Sequence, residues 1–259
     1  MQNIVSQVPS HLKKVLYIPR HNEAIPQFVV YDFSKQYSEC VGQLPLGSED
    51  YKVELCVLRK PNGERAGDNA RFMVNLDEDR TSMLVRERSL GRDPVEADVS
   101  LPTSEEKEYA FDAHTRTTSF HNYGYLNYPL PEKRTKKQLI RYPYLTLNGT
   151  IFPHQDAEKG QYEWQVHPVE KGPLRYELVD LGEKRSGDGD SSILAIYHHH
   201  GFESELPASH SHGVLLLPST STPDFEIAVL SSILALLSAV RQQSTQKRRW
   251  YQRHFMACL

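Results

Sequence analysis

TPDFEIAVLSSILALLSAVR, residues 222–241, decides the fold. Thr222 can serve as an N-cap, Pro223 suits the first helical position, and Asp224 and Glu226 put negative charge near the positive end of the helix dipole. Downstream, Ile227, Val229, Leu230, Ile233, Leu234, Leu236, Leu237 and Val240 point in nearly every direction around the axis, with only Ala and Ser between them. A helix apolar on every side must be enclosed by protein or by lipid. The uncharged run between Glu226 and Arg241 would reach about 21 Å as a helix, short of a hydrocarbon core of about 30 Å. The expectation is a core helix with no transmembrane span, and tail-anchored insertion is the rival. Arg241, Lys247, Arg248, Arg249 and Arg253 favour the negative helix end and return the chain to water, with Trp250 and Tyr251 between them.

Working back from the helix, runs of β-branched and aromatic residues recur between turn signals: YKVELCVL from Tyr51, RFMVNL from Arg71, RTSMLVRER from Arg80, EYAFDAHTRTTSF from Glu108, LIRYPYLTLN from Leu139, YEWQVHPV from Tyr162, LRYELVDL from Leu174, SSILAIYHHH from Ser191 and HGVLLL from His212. The clearest alternation sets Tyr162, Trp164 and Val166 against Glu163, Gln165 and His167, one apolar face and one polar. Lys13 to Ile18 and Pro26 to Asp32 are two further extended candidates near the start. A sandwich packs its two sheets together and leaves no room for a helix apolar all round, whereas a barrel closed around the helix does. The fold expected is mainly β, a closed antiparallel β-barrel enclosing a C-terminal hydrophobic α-helix. Residues 1–50 read as a partly extended arm, loose or built into the barrel. Residues 51–242 read as the barrel with its central helix at 223–242, and 243–259 as a basic tail.

The segments YEWQVHPVEKGPLRYELVDLGEK, SSILAIYHHHG, HGVLLLP and TPDFEIAVLSSILALLSAVRQQ follow one another over about the last hundred residues, and in that order they resemble the end of the fungal tubby-like domains. Those domains belong with the tubby C-terminal, LURP-one-related and phospholipid scramblase proteins. The resemblance implies a barrel of about twelve strands around a central hydrophobic helix. Tyr51 to Gly149 fit it only by strand number. For function it implies binding of phosphatidylinositol phosphates or another anionic phospholipid, without assigning that role to any numbered residue.

Composition bounds the remaining possibilities. In 259 residues, 39% hydrophobic and 24% charged, there is enough apolar side chain for a core and too much charge for a polytopic membrane protein. A net charge of −3 provides no global pull toward nucleic acid or an acidic membrane, so any such binding must be local. Three cysteines, Cys40, Cys56 and Cys258, without zinc-type spacing, together with the lack of a leader-like apolar stretch, point to a reducing, cytoplasmic setting, with a peripheral membrane position as an extension of it.

Local charge offers two binding candidates. The C-terminal set Arg241, Lys247, Arg248, Arg249 and Arg253 can touch a membrane or act as a nuclear address, with a cationic cap on the helix end as the plain reading. Lys133, Arg134, Lys136, Lys137 and Arg141 converge in PEKRTKKQLIR with only Glu132 to offset them, and basic side chains in such a run can hold an anionic lipid headgroup. The flanking tyrosines can sit at a lipid interface; nucleic acid is the weaker expectation, and a solvated loop is the plain one. A protein partner is the other ligand class this segment can serve. The acidic stretch Arg92 to Asp112 can pair with either basic segment or keep a loop solvated, and solvation is the expectation. His198, His200 and His212 are the most metal-like set, because His198 and His200 share one face of a strand and His212 can approach from the next. They support the alternative of a metal-dependent enzyme or metal-binding protein, and a protein-interaction scaffold is a third reading. No nucleophile elbow, phosphate loop, dinucleotide fingerprint or zinc-protease motif is present, so the expectation is a non-enzymatic protein without a cofactor.

Overall fold

The computed structural model describes residues 8–19, 26–35, 69–79, 81–89, 94–101, 108–114, 119–127, 144–148, 161–167, 175–181, 193–199 and 213–238. They form a mainly β structure, an antiparallel sheet with one C-terminal helix packed against it. The strands are β1 (Leu12–Ile18), β2 (Gln27–Asp32), β3 (Ala70–Leu76), β4 (Ser82–Glu87), β5 (Glu96–Ser100), β6 (Glu108–His114), β7 (Ser119–Asn127), β8 (Tyr144–Asn148), β9 (Gln161–His167), β10 (Arg175–Asp180), β11 (Ile193–His199) and β12 (Gly213–Pro218). The helix covers 223–238.

From β2 to β12 each strand pairs with its sequence neighbour, the pattern of an up-and-down meander. β1 pairs with both β2, through Leu16↔Asp32, and β12, through Leu16↔Leu215, so the hydrogen-bonded order returns to its start as a closed barrel. Among the described residues, β1 and β2 are thus wall rather than appendage, and β1 seats the last strand. Closure satisfies backbone groups that an open sheet would leave at its two edges.

Period-two patterning explains which side chains meet the helix. In β3, β4 and β5 the buried positions alternate with half-buried or exposed ones, as in Phe72, Val74 and Leu76, or Ala97 and Val99. One apolar cluster unites Leu16 and Ile18 of β1, Phe28 and Val30 of β2, their counterparts in β3 to β5, Tyr162 and Trp164 of β9, Tyr176 and Leu178 of β10, Ala195 and Tyr197 of β11, and Leu215 and Leu217 of β12 with the helix. Nine strands therefore contribute described side chains around it. From Glu226 to Ser238 every helical residue is buried. The opposite faces of β1, β11 and β12 carry a second apolar cluster of Leu12, Val15, Ile196, Val214 and Leu216.

Two sequence expectations are corrected here. The acidic stretch 92–112 is not simply a solvated loop: Ala97 and Val99 face the core from β5, while Glu96 and Asp98 take the other face. Residues 108–120 divide between β6 and β7, which turn back with His114 paired to Ser119. The first had its cause in charge, which dominated a window in which only alternate residues need be apolar.

Candidate functional site

The helix start holds a linked set of charged side chains. Thr222 caps it as its hydroxyl accepts from the Phe225 N–H at 3.3 Å, and the Glu226 N–H closes the first turn on the Thr222 carbonyl at 2.9 Å. Glu226 is fully buried. Its Oε1 accepts from Lys14 Nζ of β1 and from Ser221 Oγ at 2.9 Å, and its Oε2 accepts from Arg71 Nε of β3 at 3.2 Å. Arg71 continues the chain of charges to β4, with Nη1 2.8 Å from Glu87 Oε1. Lys14 is about a fifth exposed and Arg71 about a quarter, so water reaches the cations but not the central carboxylate. Asp224 stands beside this network with its Oδ1 shielded and without a hydrogen-bond partner. Burial, and then the Glu87 charge, hold its carboxyl above the usual aspartate range.

Deeper along the helix, Trp164 Nε1 of β9 donates to Ser232 Oγ at 2.9 Å, and Ser232 Oγ donates to the Val229 carbonyl at 2.8 Å. Wall and helix are joined there by a hydrogen bond inside an otherwise apolar core.

Of the histidine set, His198 is described and His200 and His212 lie outside the described residues. His198 is buried on β11, opposite Arg175 of β10 in the ladder. Burial first, and then the Arg175 guanidinium, lower its pKa to about 3, leaving the ring neutral at physiological pH. A guanidinium on the paired position also opposes a metal cation on this imidazole. No group of three metal-ligating side chains occurs among the described residues. Arg175 is itself paired with Glu177, at 2.5 Å between Nη2 and Oε1.

Lys133, Arg134, Lys136, Lys137 and Arg141 lie outside the described residues, as do the C-terminal basic residues. The strands on either side of the first segment are described. β7 and β8 are neighbours whose ladder ends at Asn127↔Tyr144, so the end of β7 and the start of β8 lie together on one rim. That rim is opposite the one where β12 ends and the helix starts, because strand direction alternates around the sheet.

The Glu226 network was missed by sequence reading. One signal for it existed: a carboxylate within a helix apolar all round must be buried and therefore paired. Its partners, about 155 and 212 residues distant, are set by the pairing of β1 and β3 into the same wall. No helix among the described residues is long and apolar enough to cross a membrane. No family model, no curated protein and no solved structure matches the chain.

Proposed function

We propose that the chain is a tubby-like barrel that works without catalysis, holding anionic phospholipid headgroups at a membrane surface through Lys133, Arg134, Lys136, Lys137 and Arg141. The observation that carries the fold half of this reading is the burial of the helix from Glu226 to Ser238 against nine strands, in a sheet whose pairing order closes on itself. Few architectures accept a helix with no polar face, and the family suggested by the C-terminal segments is one that does.

Topology supports the ligand half. The strands that flank the basic run in sequence, β7 and β8, lie together on one rim. A helix of the length described, about 24 Å at 1.5 Å per residue, enters at the other rim and runs toward this one. The sequence after 238 is basic as well, with Arg241, Lys247, Arg248, Arg249 and Arg253. Two positive segments in a chain of net charge −3 supply local charge suited to an anionic surface.

Sedimentation with phosphatidylcholine vesicles, with and without phosphoinositide, tests the reading. Binding is expected only to the phosphoinositide vesicles and should weaken as salt rises. Replacing Lys133, Arg134, Lys136 and Lys137 by Ala should weaken it at least tenfold, since each basic group near an anionic surface contributes about 1 kcal/mol. Binding unchanged by the four substitutions would overturn the assignment.

A further inference from the structure

The buried charges at the helix start answer a problem created by the apolar core. From Ile227 to Leu237 the helix offers aliphatic, Ala or Ser side chains to every side, all buried. Rotating or sliding such a cylinder exchanges one aliphatic contact for another, so hydrophobic burial, which has no direction, discriminates poorly between settings. Directional contacts can discriminate, and the described residues provide two sets of them between helix and wall. Glu226 meets Lys14 of β1 and Arg71 of β3, and Ser232 meets Trp164 of β9.

The two sets are geometrically independent. Six residues separate Glu226 from Ser232, about 9 Å along the axis and one and two-thirds turns, which leaves them roughly 120° apart around the helix. On the wall, β9 is four places from β1 and six from β3 in a ring of twelve strands. For evenly spaced strands that is between about a third and a half of the circumference. The angular offset of the anchors on the helix is thus comparable with that of their partners on the barrel. Contacts at two depths and on two sides fix both rotation and translation; either alone leaves one of them loose.

We propose that the Lys14–Glu226–Arg71–Glu87 network is a register key, which with the Trp164–Ser232 bond selects one rotation and depth of the helix within the barrel. Its role is choice among settings rather than net stabilisation. Burying an ion pair costs desolvation that its attraction only approximately offsets, and specification of register is the best-attested use of such pairs.

The first test is Glu226→Gln, which keeps the shape and removes the charge, in a Trp250→Phe background so that Trp164 supplies the only indole of the chain's two. In ¹⁵N-resolved NMR spectra the amides of 227–237 and the Trp164 indole N–H are expected to split into two or more slowly exchanging sets, with reduced hydrogen-exchange protection of the indole. One set with protection like that of the Glu226-containing parent overturns the proposal. Should Glu226→Gln fail to fold, the all-apolar variant Lys14→Met, Arg71→Met, Glu87→Leu and Glu226→Leu decides. It is expected to keep the far-ultraviolet circular dichroism of the parent and to show several helix settings. A single setting overturns the proposal, and so does failure of this variant to fold, because the network would then be required for stability itself.

Discussion

His198 and Asp224 are both ionisable groups held away from their ordinary titration, and they impose opposite pH dependences. His198 has its folded pKa pushed down to about 3 from the ordinary 6.5. The unfolded chain therefore binds the proton more tightly, and stability falls as pH drops from about 6.5 toward 3, by on the order of 4 kcal/mol in all. Denaturant titrations of His198→Gln between pH 7 and 4 should show a flatter dependence than the parent. Asp224 is raised, so its folded form holds the proton more tightly, and its unfavourable contribution develops as pH rises above the ordinary aspartate value of 3.8. Asp224→Asn is expected to stabilise at pH 7 by up to about 1 kcal/mol, the scale of a solvent-screened charge interaction, and to have lost that advantage at pH 3. Gly213 is constrained differently. A Cβ there would lie 2.3 Å from the His198 carbonyl oxygen and 2.6 Å from the Tyr197 hydroxyl, so Gly213→Ala should cost about 2 kcal/mol or more in a thermal or denaturant melt.

The helix is the element on which the core depends, and the cost of altering it should follow depth. Leu234 is fully buried, and Leu234→Ala is expected to cost about 2–5 kcal/mol, the range for deleting a core aliphatic group whose surroundings only partly collapse. Ser232→Ala leaves the Trp164 indole N–H buried without its acceptor, about 1–3 kcal/mol, visible also as a changed tryptophan emission. At the rim, Thr222→Ala removes only the cap and should cost about 1 kcal/mol. A flat response across these three variants in equilibrium unfolding would contradict a helix packed along its whole described length. The cap and the helix start were legible beforehand because both depend on local chemistry: a hydroxyl three residues before an N–H, and a proline where no N–H is needed.

For the molecule as a whole, closure is the property most open to test. A truncated chain lacking residues 1–33 loses β1 and β2, leaving β3 and β12 as edges and one side of the helix uncovered. It should not unfold as a cooperative unit and should aggregate through the exposed edges. The mainly β class, most strand windows and the enclosed C-terminal helix could be read before any coordinates, because side-chain alternation and hydrophobic periodicity are local properties of the chain. The place of β1 and β2 in the wall, β5 within an acidic stretch, the burial of His198 beside Arg175, and the pairing of Glu226 with Lys14 and Arg71 could not. Each of these depends on which distant strands become neighbours, and that is settled by closure of the sheet, a free-energy decision made by the whole chain at once and recorded in no single window of it.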